Sequence, residues 1–214
     1  MLGELQRENI MSSNKIHWLG HASIRIDGEK IIYIDPWELK TDRPKADIIL
    51  ITHGHYDHCS KQDVEKIVRD GTAIFATPDC GNNLPFNFHS ISPGEEERVD
   101  GIIIRAVPAY NIGKHFHPRT NDWVGYIIEM GGERIYFTGD TDYIPEMDDI
   151  TADILIIPVG GTYTMTADEA AGVANRIKPQ LAIPIHFGAV VGSRLDADAF
   201  AELAQVPVEI LPEE

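Results

Sequence analysis

Cysteine is scarce in this chain of 214 residues, which excludes a fold built on disulfide bonds. Cys59 and Cys80 are the two thiols, too few for the framework of bridges that small secreted proteins use. No apolar run approaches the roughly 20 residues that span a bilayer, so no membrane insertion is expected. The amino terminus lacks the basic start and apolar core of a secretory signal. We therefore expect reduced thiols and a cytoplasmic location.

Basic residues are also few, since 18 Lys and Arg stand against 34 Asp and Glu, a formal charge of −16 at pH 7. Long-range repulsion from phosphate opposes broad binding to nucleic acid or anionic lipid, so a small molecule is the expected partner. The chain has no Gly-x-Ser-x-Gly elbow, no P-loop and no dinucleotide fingerprint, and a nucleophilic-serine enzyme is not supported. The sequence leaves the oligomeric state open.

Apolar, strand-like segments dominate both halves of the chain, and helical patterns lie between or after them. Strands are predicted over residues 15–19, 23–26, 30–34, 47–52, 72–76, 86–91, 101–107, 123–130, 133–138, 153–157, 180–185 and 206–211. Helices are predicted over 60–69, 166–177 and 196–204. This order fits an α/β protein with two mixed sheets and helices on the outer faces, a four-layer αββα sandwich. We expect residues 15–214 to form a single domain and residues 1–14 a loose extension, in which Met11 is an alternative start.

Four metal-type ligands fall within the six residues His53-Gly54-His55-Tyr56-Asp57-His58. This segment follows the apolar run 47–52, which is typical of a strand buried on both faces. Neutral imidazole and carboxylate groups bind zinc, iron or manganese. A strand that ends in a turn presents such groups at the edge of a sheet. We therefore predict a site there for one or two metal ions.

Further ligand-type residues follow other predicted strands. Asp140 comes directly after Gly139, His186 follows the strand 180–185, and His115 and His117 lie in the loop after the strand 101–107. Each of these alone is better explained as a turn residue or a structural hydrogen-bonding group. Their occurrence together with the segment 53–58 favours the metal site.

The order of these motifs resembles the metallo-β-lactamase fold superfamily of metal-dependent hydrolases. The motifs are His53-x-His55-x-Asp57-His58, Gly139-Asp140 and the strand-terminal His186, and the resemblance covers about residues 15–211. Trp18-Leu19-Gly20-His21-Ala22 and Asp35-Pro36 are similar to one branch, the compact metal-dependent hydrolases and ascorbate-6-phosphate lactonase-like proteins. A related pattern occurs in the phospholipase D that hydrolyses N-acyl phosphatidylethanolamines. The resemblance implies the metallo-β-lactamase-like αββα sandwich.

The resemblance also implies a site for two divalent metal ions. The first ion would be bound by His53 and His55, the second by Asp57, His58 and His186, with Asp140 between them. Many relatives place another His directly after the strand 101–107, where this chain has Pro108-Ala109-Tyr110-Asn111. Either His115 or His117, which lie two residues apart in the loop that follows this strand, would replace it. We favour His117, which precedes the rigid Pro118; a single-metal site is the alternative.

A second group of residues is expected around the pocket or behind the ligands. His21, Asp35, Tyr110, His115 and Tyr163 are the candidates, with His21 and Asp35 placed to support ligands by hydrogen bonds. Lys114 and Arg119 could contact an anionic or polar substrate, although a solvated loop explains them better. We expect the loops 109–122 and 187–195 to form the pocket walls.

These residues predict a metal-dependent hydrolase. A metal-bound hydroxide, shared by two ions, would attack an ester, lactone or phosphodiester-type bond of a small substrate, anionic substrates included. Asp57 and Asp140 are the predicted catalytic residues. Zinc is the favoured metal, and manganese, iron and nickel also suit the ligands. The alternatives are a non-catalytic metal-binding or sensor protein with an incomplete first site and, less favoured, a di-iron redox enzyme.

Overall fold

The computed structural model describes residues 15–214, so the predicted loose extension 1–14 lies outside the described residues. The first half of this range forms a six-stranded sheet whose strands lie in sequence order. The strands are β1 (Ile16–Trp18), β2 (Ile24–Asp27), β3 (Ile31–Ile34), β4 (Ile48–Ile51), β5 (Ala73–Ala76) and β6 (His89–Ser90). β1 to β3 pair antiparallel, and β3 to β6 pair parallel, so the sheet is mixed.

The second half forms another six-stranded mixed sheet, in the order β12-β11-β10-β9-β8-β7. Its strands are β7 (Glu96–Val99), β8 (Ile102–Pro108), β9 (Val124–Met130), β10 (Glu133–Phe137), β11 (Ile154–Pro158) and β12 (Leu181–Ile185). β7 to β10 form an antiparallel meander, and β10, β11 and β12 pair parallel. The helices are α1 (Lys61–Ile67), α2 (Ala167–Ile177) and α3 (Arg194–Leu203). None of the helices in residues 15–214 has the length and apolar character needed to cross a membrane.

Central strands such as β4 and β11 are buried on both faces because the chain forms four layers. Ile24 and Leu50 of the first sheet share a core cluster with Ile104 and Tyr126 of the second. Alternate residues of β4 point the other way and pack with Val64 and Ile67 of α1. Helices α2 and α3 add residues such as Val173 and Phe200 to the larger cluster. The predicted α/β class with two mixed sheets and flanking helices is confirmed.

Two strand predictions are wrong. β7 was not predicted, because this strand at the edge of its sheet has the polar sequence Glu-Glu-Arg-Val and no apolar alternation. The predicted strand 206–211 is not formed; Val208 makes only an isolated bridge to Ala182. The predicted strand 86–91 is reduced to His89–Ser90. None of these differences reaches the strand ends that carry the ligand-type residues.

Hydrogen bonds to backbone carbonyls hold the two sheets together at one edge of the sandwich. The Tyr126 hydroxyl donates to the Ile51 carbonyl at 2.8 Å, and Val124 N–H donates to the Thr52 carbonyl at 3.2 Å. His186 N–H donates to the His21 carbonyl at 2.8 Å. The segments that follow β4 and β12 are therefore fixed against the opposite sheet, where the predicted ligands lie.

Candidate metal centre

Imidazole and carboxylate groups from segments that follow β1, β4, β8, β10 and β12 meet at this edge. Within residues 15–214 they form three overlapping groups, and the potential ligand atoms in each lie within 4.8 Å of one another. The groups are His53, His55 and His117; His21, Asp57, His58 and His186; and His53, His58 and Asp140. The structure therefore brings together all seven residues that were predicted as metal ligands.

Asp140 lies between the first two groups. Its Oδ2 atom is 3.0 Å from His186 Nε2, 3.3 Å from His117 Nε2 and 3.4 Å from His58 Nε2. The carboxylate follows Gly139, whose φ of +67° turns the chain at the end of β10. A side chain on residue 139 would approach the Val124 carbonyl to 2.7 Å, so glycine is required for this turn. One carboxylate oxygen thus faces imidazoles of both groups.

The buried donor atoms fit a metal ion. The Nε2 atoms of His58, His117 and His186 are buried and make no hydrogen bond to the residues described. An unsatisfied buried nitrogen is costly, and a coordinated cation would satisfy all three nitrogens. Imidazole and carboxylate are suitable ligands for zinc and other divalent transition metals.

Residues behind the candidate ligands hydrogen-bond to them and so determine which ring nitrogen of a histidine faces the centre. His58 Nδ1–H donates to Asp35 Oδ2 at 2.8 Å, and Asp35 itself accepts from Thr52 N–H at 2.8 Å and the Thr52 hydroxyl at 2.7 Å. His21 Nε2 lies 3.1 Å from Asp57 Oδ2. These contacts match the support expected of ligand-orienting hydrogen bonds. Asp35 and His21 therefore contact candidate ligands, His58 and Asp57, through hydrogen bonds.

Burial and neighbouring charges favour the protonation state that a metal needs at three of the candidate ligands, His53, His55 and Asp140. Burial lowers the pKa of His53 and His55, and the neighbouring imidazoles lower it further, so both rings are neutral. Burial raises the pKa of Asp140, but His186 and His58 outweigh it and leave the carboxylate ionised. His58 differs. Burial lowers its pKa, but Asp140 and Asp35 raise it well above the ordinary value of 6.5.

Three residues around the centre have an uncommon left-handed backbone conformation. The φ angles of His21, Asp35 and His186 are +49°, +46° and +60°. Such angles are rare for residues other than glycine and are usually imposed by the surrounding structure. All three side chains contact a carboxylate or imidazole of the candidate centre. The contacts of these side chains at the site therefore accompany the left-handed backbone conformation of all three residues.

The first imidazole pair has supports that the sequence analysis missed. Asp79 Oδ2 accepts from Gly54 N–H at 2.9 Å and from Trp123 Nε1–H at 2.8 Å. The Trp123 ring lies 4.7 Å, centroid to centroid, from the rings of both His53 and His55. A Cβ atom on residue 54 would approach Asp79 Oδ2 to 2.6 Å. Gly54, a glycine between two ligand-type histidines, is the one sequence signal that could have indicated the close approach of Asp79.

His117 and His115 lie in different environments. His117 is buried and joins His53 and His55, whereas His115 is exposed and belongs to no ligand group found in residues 15–214. Asn111 Oδ1 accepts from both His117 N–H and His117 Nδ1–H, each at 3.0 Å, so Nε2 faces the centre. Asn111 Nδ2 donates to Asp142 Oδ1 at 3.1 Å. Neither Asn111 nor Asp142 was identified from the sequence, because a hydrogen-bonded amide and carboxylate have no characteristic spacing.

The remaining pocket predictions have mixed outcomes. Tyr163 lines the cleft beside the centre. Tyr110 does not; its hydroxyl donates to Glu146 at 2.9 Å, away from the cleft. Lys114 was expected in a solvated loop, but its Nζ is half-buried and donates to Asp142 at 2.6 Å. Arg119 is exposed and pairs with Glu146 at 2.9 Å.

The cleft that leads to the centre has a cavity volume of about 200 Å³. Phe116 and Val190 come from the two predicted wall loops, and Tyr56 and Tyr163 complete the apolar part of the lining. The polar part is formed by the candidate ligands His55, Asp57, His117, Asp140 and His186. A small molecule in this cleft would therefore contact the ligand cluster directly.

Residues 15–186 match the model of the β-lactamase superfamily domain. The chain belongs to the metallo-β-lactamase superfamily. A UPF0173 metal-dependent hydrolase of Thermoplasma acidophilum is 34% identical to it over 209 residues, covering 91% of this chain and 92% of that protein. A UPF0173 metal-dependent hydrolase of Thermococcus onnurineus is 33% identical over 214 residues, covering 92% and 95%. Within the superfamily, the chain is thus a member of the metal-dependent hydrolases, as predicted.

Solved structures of superfamily members agree with the fold. The metal-dependent hydrolase in a crystal structure from Parabacteroides distasonis is 32% identical in sequence to this chain. The two structures superpose with a TM-score of 0.83 over 91% of each chain. A metallo hydrolase from the archaeon Ignicoccus hospitalis is 23% identical, with a TM-score of 0.75 over 92% of this chain and 94% of that one. At this lower identity the second likeness concerns the fold alone.

Proposed function

We propose that this member of the superfamily hydrolyses an ester, lactone or phosphodiester-type bond of a small substrate at a centre for two divalent metal ions, with zinc as the favoured metal. The observation that carries the proposal is the position of Asp140, whose Oδ2 lies within 3.0–3.4 Å of three histidine Nε2 atoms from the two ligand groups. A carboxylate between two sets of imidazoles is the arrangement expected of a bridging ligand.

The two ions would be held by separate groups that share this carboxylate. The first ion would be held by His53, His55 and His117, and the second by Asp57, His58 and His186. When bound, divalent ions supply Lewis acidity that activates water and polarises the bond to be cleaved. The sensor alternative depended on a missing third imidazole, and His117 supplies an imidazole at that place. This favours the hydrolase.

The residues of the chain position and protonate the reacting groups. Burial raises the pKa of Asp57, but the hydrogen bond from His21 and the charge of His58 outweigh it, so the carboxylate is ionised at neutral pH. Asp57 also lines the cleft, where it can orient a water molecule and accept the proton that the water loses. His21 holds this carboxylate in place from behind.

Metal content and turnover test this function together. We would measure metal per chain by elemental analysis on protein purified without chelator, and screen ester, lactone and phosphodiester substrates. Two ions per chain with chelator-sensitive turnover are expected. His58→Ala and Asp140→Asn should each lower metal content and activity, while His115→Ala serves as the matched exposed control. Full metal content and normal rates in the His58 and Asp140 variants would refute the assignment.

A further inference from the structure

We propose that the substrate of this site carries an uncharged aromatic group beside the bond that is cleaved, and no phosphate or carboxylate group for the protein to recognise. This inference rests on the proposed hydrolase function and narrows its substrate class. It follows from the side chains that line the cleft and from the ion pairs that nearby lysine and arginine side chains make with other residues.

Aromatic side chains surround the mouth of the cleft. Tyr56 is 68% exposed and Phe116 is 46% exposed, both high values for large side chains with an apolar surface. The rings of Phe116 and Tyr163 meet edge to face, with centroids 4.7 Å apart and planes at 88°. Exposed aromatic groups that cluster at a cavity indicate a binding surface, and edge-to-face pairs accept a further ring with favourable geometry.

Cations that could recognise an anionic group are engaged elsewhere. No lysine or arginine within residues 15–214 lines the cleft. Lys114 Nζ donates to Asp142 Oδ1 at 2.6 Å and to the Thr164 carbonyl at 2.7 Å. Arg119 pairs with Glu146 and lies over the Tyr110 ring, 5.0 Å from its centroid. Sites that recognise phosphate or carboxylate normally provide arginine or lysine, or a set of backbone amides, for this purpose.

The buried carboxylates also reduce the attraction for an anion. Asp35, Asp57 and Asp140 are all buried at the centre and would cancel three of the four positive charges that two divalent ions bring. The chain as a whole carries a formal charge of −16, which repels anions at longer range. An uncharged group avoids both effects, and the aromatic walls then supply the binding energy.

The cavity size sets a limit on this group. Its volume of about 200 Å³ is below the roughly 300–1,000 Å³ of sites for drug-sized ligands. The cleft therefore suits one aromatic ring next to an ester or lactone, with the rest of a larger substrate outside.

Three substrates separate the effect of the aromatic ring from that of charge. Isochroman-3-one is an uncharged six-membered lactone fused to an aromatic ring, δ-valerolactone has the same lactone ring without it and a leaving alkoxide of similar basicity, and bis(4-nitrophenyl) phosphate is aromatic but anionic. We expect kcat/KM of the metal-loaded protein to be highest for isochroman-3-one, by roughly tenfold over δ-valerolactone. Phe116→Ser should reduce this preference by roughly 3- to 10-fold without changing metal content. Leu195→Ser, which removes an exposed apolar side chain outside the cleft, should leave it unchanged.

Binding of hydroxamates provides a measurement that does not need turnover. Benzohydroxamate and acetohydroxamate share one metal-binding group and differ in the aromatic ring, so calorimetry on the metal-loaded protein should find the first tighter by a similar factor. A benzohydroxamate preference without turnover of any substrate would support the aromatic cleft and refute the hydrolase. Equal affinity for the two hydroxamates, or a phosphodiester turned over better than isochroman-3-one, would overturn the aromatic, uncharged substrate class.

Discussion

Replacement of Asn111 by alanine would remove the group that orients His117. The Asn111 amide is buried and makes four hydrogen bonds. Its oxygen accepts twice from His117, and its nitrogen donates to Asp142 and to the Tyr163 carbonyl. Alanine removes all four bonds, so His117 can rotate and its Nε2 no longer faces Asp140 and the first ligand group.

The size of the effect follows from these contacts. Buried polar groups that lose a partner cost about 1–3 kcal/mol each, but water entering the space would satisfy some of them. We expect the free energy of unfolding of the metal-free protein to fall by about 2–4 kcal/mol in Asn111→Ala. For a chain of this length that is a decrease in melting temperature of roughly 5–15 °C. Loss of a residue that orients a ligand lowers metal affinity by roughly 10- to 100-fold.

The assay combines thermal unfolding of chelator-treated protein with zinc titration at buffered free zinc. One of the two sites should weaken in Asn111→Ala while the other keeps its affinity. Asn111→Asp is the matched variant, because it keeps an acceptor for His117 but cannot donate to Asp142. It should lose stability while retaining more of the zinc affinity. Parental zinc affinity in Asn111→Ala would refute the orienting role of this amide.

Three further predictions follow from the site. His117→Ala should lower zinc content measured by elemental analysis, whereas His115→Ala should not; the reverse result would assign the ligand role to the exposed ring. Gly54→Ala should displace the Asp79 carboxylate, which lies 2.6 Å from the added carbon, and lower the melting temperature by several degrees; an unchanged melting curve would show that Asp79 moves freely. The raised pKa of His58 stabilises the metal-free protein fully below pH 6.5, and this stabilisation is lost as pH rises through the folded pKa. Because zinc needs the neutral ring, the melting-temperature gap between zinc-loaded and metal-free protein should widen as the pH is raised above 6.5, and a constant gap would contradict this.

Much of the fold was predictable because the buried strands have strong local signals. The apolar run of β4 and the capping residues of α1 and α2 identify these elements without reference to the rest of the chain. The edge strand β7 and the bridge at Val208 were not predicted correctly, since pairing at a sheet edge depends on the neighbour and not on apolar periodicity. The orientation of Tyr110 could not be predicted for a similar reason, because a distant residue, Glu146, provides its hydrogen-bond partner.

The sequence by itself determined the chemical character of the site. Ligand-type side chains directly after β4, β10 and β12 specify a metal centre, because these residue types have few other reasons to follow buried strands so regularly. Only the tertiary structure places His117, and not His115, beside His53 and His55, since this position depends on Asn111 and Asp142, which are 31 residues apart in sequence. It also placed aromatic rings at the cleft and directed Lys114 and Arg119 to other partners. Such long-range contacts are set by how the two sheets pack, and local sequence patterns do not encode them.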